Sequence, residues 1–237
     1  MKYETAVAII GPTGVGKTKL AFELARRAGG EVINLDKIYL FRHFRIGSGL
    51  SETLKEGGGI TRHFYEILEP KDAIIPPIEY AKMIRDKCAE ILTAGKLPII
   101  EGGSTTYFPA LIEENRRGIF CAPVIGLRFP VQFNLEEKIT LRLEAAFKEG
   151  LLEEVTRNLP RYRNTLAMSD CHAIVPLVRY LDGKVTLENA KKEIALRALD
   201  YIDRQMELFM RYPEVTWFEY TPEALPRILD DILKKTG

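Results

Sequence analysis

The 237-residue chain is poor in several features that would settle its class at once. Cysteine is scarce: Cys88, Cys121 and Cys171 are odd in number, far apart and without a C-x-x-C pair. That excludes a disulfide framework and a cysteine zinc site, and is expected of reduced thiols in a cytoplasmic protein. The three histidines, His43, His63 and His172, form no ligand-spaced pair. Long apolar runs are absent too. Ala6 to Ile10, behind the acidic Glu4, is the only one near the start, and nothing approaches the roughly 18 apolar residues of a membrane span. Nor is there an excess of either charge, because 34 Lys+Arg face 33 Asp+Glu for a net +1. No global field draws such a chain onto nucleic acid or an anionic membrane. The expected partners are small molecules, with no membrane and no stable nucleic-acid binding.

What is present is an ordinary globular composition, with 46% hydrophobic and 28% charged residues. The length suits one large domain, or one domain with an appendage, and a core that needs no metal or disulfide staple. Thr5 to Ile10 is a continuous apolar run, as a parallel strand covered on both faces requires. After a Gly-rich turn, Lys17 to Ala28 carries Leu20, Ala21, Leu24 and Ala25 on one helical face, and Gly29-Gly30 ends it. Glu31 to Leu35 reads as a second strand. Pro76-Pro77 opens a helix through Ala94 with Ile84, Cys88 and Ile91 on one side, and Lys96 to Ile100 forms a third buried strand. This alternation predicts an α/β fold: a P-loop NTPase-like parallel sheet flanked by helices, with a helical C-terminal portion. Gly47 to Thr61, rich in Gly and Ser, reads as a mobile loop, and Val124 to Phe129 as the last core strand. Helices are expected over 134–160, 170–181 and 186–212, with Thr186 as an N-cap, then an edge strand Val215 to Phe218 and a closing helix over 221–235. Residues 1–130 are thus expected to form the α/β core, and 131–237 a mostly helical portion that completes the active site.

Gly11-Pro-Thr-Gly-Val-Gly-Lys17-Thr18 is a complete G-x-x-x-x-G-K-[ST] loop between a predicted strand and a predicted helix. Its glycines let backbone N–H groups close around phosphate oxygens. Lys17 adds a point charge, Thr18 offers a hydroxyl to Mg²⁺, and the helix N-terminus adds partial positive charge. The strand ending Ile99-Ile100-Glu101 lacks the terminal Asp of most phosphoryl-transfer enzymes. Asp36 ends the second strand, where open α/β sheets bind ligands. By residue type alone it serves as base, metal ligand or loop cap.

Four segments together resemble the P-loop isopentenyltransferases, which comprise adenylate isopentenyltransferases and tRNA dimethylallyltransferases. They are Gly11 to Thr18; Asn34 to Tyr39 with Gly47-Ser-Gly49; Lys96 to Tyr107, which holds Glu-Gly-Gly-Ser; and Tyr180 through Arg204-Gln205 to Trp217-Phe218. The resemblance implies transfer of a dimethylallyl group from its diphosphate to adenine N6, with Mg²⁺. It implies catalytic roles for Asp36 as base, Lys17 and Thr13. Gly14, Gly16, Lys17, Thr18, Ser104, Arg128, Tyr201 and Arg204 are implied to hold the diphosphate or its metal, with Thr18 the metal ligand. Asp36, Ser48 and Asp170 are implied to face the acceptor. From the residues themselves, Arg128 reads equally as a surface arginine, Asp170 as a helix cap, and the Arg197, Tyr201, Arg204 stripe as a solvated face. Tyr39 stands where the family carries Gln, Cys171-His172 replaces Gly-Tyr, and Ala146 stands where a second Arg is expected. Between Tyr107 and the last core strand there is no room for the helical insertion by which the tRNA enzymes grip RNA. The expected acceptor is therefore a free adenine nucleotide, AMP foremost, with a cytokinin-type product. The alternatives are tRNA, or a small-molecule kinase reaction on the same loop.

Overall fold

The computed structural model describes residues 3–118 and 122–236. Among these residues, strands β1 (Val7–Ile10), β2 (Glu31–Asn34), β3 (Arg62–His63), β4 (Pro98–Gly102), β5 (Val124–Arg128) and β6 (Val215–Glu219) form one sheet in the order β3-β2-β4-β1-β5-β6. Every pairing is parallel. β1 lies between β4 and β5, so the chain leaves β1 for β2 by stepping over the place β4 later fills. Ligands bind at such switch points, outside the carboxyl ends of the strands.

Pleating sends alternate side chains to opposite faces. Ala8 and Ile10 of β1, Ile33 of β2 and Ile100 of β4 pack under helix α4 (Pro77–Thr93) and helix α5 (Phe108–Arg116). Val7 and Ile9, with Val32, Ile99, Ile125 and Leu127, pack under helix α1 (Lys17–Ala28) and the last helix, α11 (Leu225–Thr236). Each fully buried aliphatic side chain contributes roughly 2 kcal/mol, so two covered faces explain why these strands read as continuous apolar runs. The chain after residue 130 returns to the sheet, since β6 pairs with β5 from Val124↔Val215 to Arg128↔Glu219.

A third apolar cluster joins the remaining helices to the segment after β2. It gathers Phe41, Phe44, Leu151, Val155, Met168, Cys171, Ile174 and Ile194. Phe41 and Phe44 are therefore core. The stretch from Gly47 is not an open loop: a 3-10 turn (Ile38–Leu40) leads into α2 (Arg45–Ser48) and α3 (Leu50–Glu56). Buried Glu154 accepts the amides of Ile46 and Gly47 at 2.9 and 2.8 Å, and Asn158 donates to the His43 carbonyl at 2.7 Å. Those partners lie more than a hundred residues away, beyond any reading of local composition.

The expected helix over 134–160 is two, α6 (Leu135–Glu149) and α7 (Leu151–Tyr162), broken where Gly150 adopts φ 107°. The helix expected over 170–181 is shorter, α9 (Ile174–Leu181), and the short α8 (Leu166–Ser169) precedes it. Helix α10 (Leu187–Phe209) starts at the expected cap, with the Thr186 hydroxyl accepting the Asn189 amide at 3.2 Å. Cys88 and Cys171 are buried free thiols, pushed up to about 12 by burial, while Cys121 lies outside the described residues. Among the described residues no helix is long and apolar enough to cross a membrane.

Candidate active site

A cavity of about 690 Å³ opens at the carboxyl ends of the strands. The P-loop, the turns after β2 and β4, α2, one face of α6, the turn before α9 and one face of α10 enclose it. Of the residues singled out in the sequence, Thr13, Gly14, Asp36, Ser48, Ser104, Asp170, Tyr201 and Arg204 all line it.

The P-loop follows β1 with glycines of positive φ at Gly11, Gly14 and Gly16. Gly16 has a steric reason besides its φ of 113°, because a Cβ there would stand 2.3 Å from the Tyr220 ring. Lys17 lies buried beneath the loop and donates to the Pro12 carbonyl at 3.0 Å. Burial lowers its pKa, opposed by Glu101 and Asp36. The Thr18 hydroxyl donates to Glu101 Oε1 at 3.1 Å. Glu101, buried in β4, thus stands beside the last residue of the P-loop, although its strand lacks the Asp expected of phosphoryl-transfer enzymes. One hydroxyl and one carboxylate, both hard oxygen donors, fit Mg²⁺ bound largely through phosphate oxygens. Among the described residues no cluster of three His, Cys, Asp or Glu offers a metal cage.

Asp36 is held in a rigid turn. Asn34 accepts the Asp36 amide at 2.7 Å and donates to the carbonyls of Asp36 and Phe64 at 2.9 and 3.0 Å. The Asp36 carboxylate accepts the Ile38 amide at 3.0 Å. Burial raises its pKa, against that bond, the Tyr39 amide and the charges of Lys17 and Lys37. Lys37 itself reaches Asp170 at 2.6 Å, so Asp170 enters the cavity as half of an ion pair. Ser104 is buried and accepts the Tyr107 amide at 3.1 Å, while the Ser48 hydroxyl donates to the Arg45 carbonyl at 3.2 Å. Tyr201 and His172 bring their rings within 4.4 Å, and the Arg204 guanidinium lies 5.9 Å from the Tyr201 ring. Burial, with Arg204 and Arg197 nearby, lowers the His172 pKa and favours the neutral imidazole.

Arg128 is not brought to the cavity. It ends β5 exposed and pairs across the strand with Glu219 at 3.0 Å. Instead, two cations that the sequence reading passed over come from α6. Lys138 lies over Gly14, and Arg142 pairs with Glu52 at 3.0 Å beside Gly49, where a Cβ would stand 2.2 Å from its guanidinium. Their spacing of four residues among Leu135, Ile139 and Leu143 was the available signal, a cationic edge on an apolar helical stripe. Gln205 of α10 was also passed over, quoted in a motif but given no role. It is fully buried between the P-loop and Gly103, the glycine after β4.

The model of the isopentenyl transferase family matches residues 4–207. A tRNA dimethylallyltransferase of Bacillus subtilis is 25% identical, with 92% of each chain covered. That alignment runs over 296 positions, more than this chain possesses, so the relative carries segments without counterpart here. A tRNA dimethylallyltransferase of Solibacter usitatus is 31% identical over 82% of this chain and 58% of its own. Among solved structures, the tRNA isopentenylpyrophosphate transferase of Bacillus halodurans superposes with a TM-score of 0.86 at 25% identity, covering 98% of this chain and 96% of that one. With its phosphate loop, its strand-end aspartate and a family match across most of its length, the chain belongs to the isopentenyl transferases.

Proposed function

We propose that this transferase moves a dimethylallyl group from dimethylallyl diphosphate to N6 of an adenine, and that the adenine belongs to a tRNA. The observation that carries the reading is a single cavity joining a P-loop, two cations of α6 and a half-buried aspartate. The names of the relatives support tRNA as acceptor. They do not support the free nucleotide and cytokinin-type product expected from the sequence, and they revise the expectation that nucleic acid is no partner. Membership of this family also disfavours the kinase alternative.

In the proposed reaction the C1–O bond of the donor breaks, the N6–C1 bond forms, and diphosphate leaves. The N6 proton passes to the Asp36 carboxylate, whose raised pKa suits a general base. Diphosphate gains charge as it departs. The P-loop amides, Lys17 and the α1 N-terminus receive that charge in a preorganised site, with Lys138 and Arg142 covering it from α6. Mg²⁺, held by Thr18 with Glu101 behind it, would neutralise further diphosphate charge. The apolar stripe of Leu135, Ile139 and Leu143 supplies a dry wall for the prenyl chain.

A second reading keeps one observation in its favour. Between Tyr107 and β5 the described residues form α5 alone, with no added domain to grip RNA. That suits a free adenine nucleotide such as AMP. Mass spectrometry with Mg²⁺, dimethylallyl diphosphate and, separately, an anticodon stem-loop, AMP, ADP, ATP and adenosine distinguishes the readings. The expected outcome is one isoprenyl unit on the stem-loop with diphosphate released. Prenylation of AMP alone favours the second reading. ATP turnover with small alcohols and no prenylation overturns both.

A further inference from the structure

Gln205 makes two hydrogen bonds that tie the P-loop to the turn after β4. Its Nε2 donates to the Gly103 carbonyl at 2.6 Å, and its Oε1 accepts the Thr13 amide at 2.9 Å. The Thr13 amide of the P-loop is thereby committed to Gln205. The Gly103 carbonyl also receives the Tyr201 hydroxyl at 3.5 Å. Gly103 has little alternative to glycine here, because a Cβ would stand 2.5 Å from Gln205 Nε2 and 2.9 Å from the Gly11 carbonyl. One amide thus joins three pieces of chain: the P-loop, the turn after β4, and α10 with its Tyr201 and Arg204.

We propose that Gln205 is a positioning residue that sets the P-loop against α10, fixing the diphosphate cradle relative to the groups facing the transferred carbon. The amide suits this task, since it donates and accepts at once and carries no charge that would compete with Lys17. For turnover the inference rests on the prenyl-transfer reading; for diphosphate binding it does not.

The test compares Gln205→Leu, which removes both bonds, with Gln205→Glu, which keeps the acceptor and sets a carboxylate against the Gly103 carbonyl. Circular dichroism and thermal melting establish folding. Calorimetry with inorganic diphosphate and Mg²⁺ reads the cradle, and steady-state kinetics read kcat and KM. At about pH 8, Gln205→Glu is expected to bind diphosphate about tenfold more weakly and to lose about 10²-fold in kcat, with acceptor KM little changed. As pH falls toward about 5.5 the variant-to-wild-type ratio should climb back, because a protonated buried Glu regains a donor for Gly103. Folded variants with wild-type diphosphate affinity overturn the proposal, as does a ratio that stays flat with pH. Should Gln205→Leu fail to fold, the pH series on Gln205→Glu decides alone. A wild-type protein that prenylates nothing refutes the proposed function, and the diphosphate titration still judges Gln205.

Discussion

At the scale of single residues, Asp36 combines the proposed role of base with a cost to stability. Its folded pKa is raised, chiefly by burial, so the native state holds the proton more tightly than the unfolded chain does. Stability therefore falls as pH rises from the ordinary carboxylate range through the raised value, and the deficit is complete above it. Asp36→Asn retains an oxygen to accept the Ile38 amide while removing the charge. It is expected to lose about 10²-fold or more in kcat/KM, yet to melt above the wild type at about pH 7. Thermal melts should show that gap closing as pH drops to about 4, and a variant that melts lower at neutral pH would contradict the account. The cations make a second residue-scale comparison. Arg142 lines the cavity, and Arg142→Ala is expected to weaken binding of inorganic diphosphate by about tenfold, whereas Arg128 lies outside it, and Arg128→Ala should change binding less than about twofold. Calorimetry on both variants checks the contrast. Arg128 drew attention because it ends a core strand. A strand end gives the neighbourhood of a side chain, but pleat and cross-strand partner decide where it points, and here Glu219 lies directly opposite on β6.

Among the elements, α6 differs from the helices that cover the sheet. None of its residues is fully buried, although α1 buries Leu20, Ala21 and Leu24 and α4 buries Tyr80, Ile84 and Cys88. Its apolar stripe faces the cavity, its N-cap is a single Asn134 side chain accepting the Glu137 amide, and Gly150 severs it from α7. A helix with so few buried contacts opens at low free-energy cost. Amide hydrogen exchange over 135–149 is expected to be faster than over α1 or α4, and to slow when diphosphate engages Lys138 and Arg142. Equal protection in α4 and α6 would refute this reading. The element also shows where local sequence reading stops. An uninterrupted helical pattern over 134–160 conceals the break, because a glycine costs only about 1 kcal/mol in a helix and so does not announce one. Gly47 to Thr61 misleads in the opposite direction. Its Gly and Ser content suggests mobility, but Leu50, Ser51 and Thr53 are buried, and Glu154 satisfies two amides at the start of the segment.

For the whole molecule, the sheet was legible because strands buried on both faces must be apolar throughout, and the P-loop because its glycines and Lys17-Thr18 stand between such a strand and a helix. Strand order was not, since nothing in Lys96 to Ile100 says that β4 inserts between β1 and β2. The cavity walls were legible only in part, because α6, α2 and α10 meet through the third cluster, whose members range from Phe41 to Ile194. Charge acts on the same scale. A net charge of +1 provides no general attraction for a polyanion, and four of the cations at the cavity already have carboxylate partners: Arg197 with Glu193, Arg204 with Asp200, Lys37 with Asp170, Arg142 with Glu52. If tRNA is the acceptor, as proposed, binding of a stem-loop must draw on contacts within the cavity more than on phosphate neutralisation along the stem. Each phosphate contact contributes about −0.7 to −0.9 to the slope of log affinity against log salt. Three or fewer such contacts, roughly what partly engaged cations would provide, give a slope no steeper than about −3. Filter binding of the stem-loop across a salt series is expected to stay within that limit, with affinity falling sharply when the target adenine is replaced by a pyrimidine. A steeper slope would mean that an extended basic surface, rather than the cavity, holds the RNA.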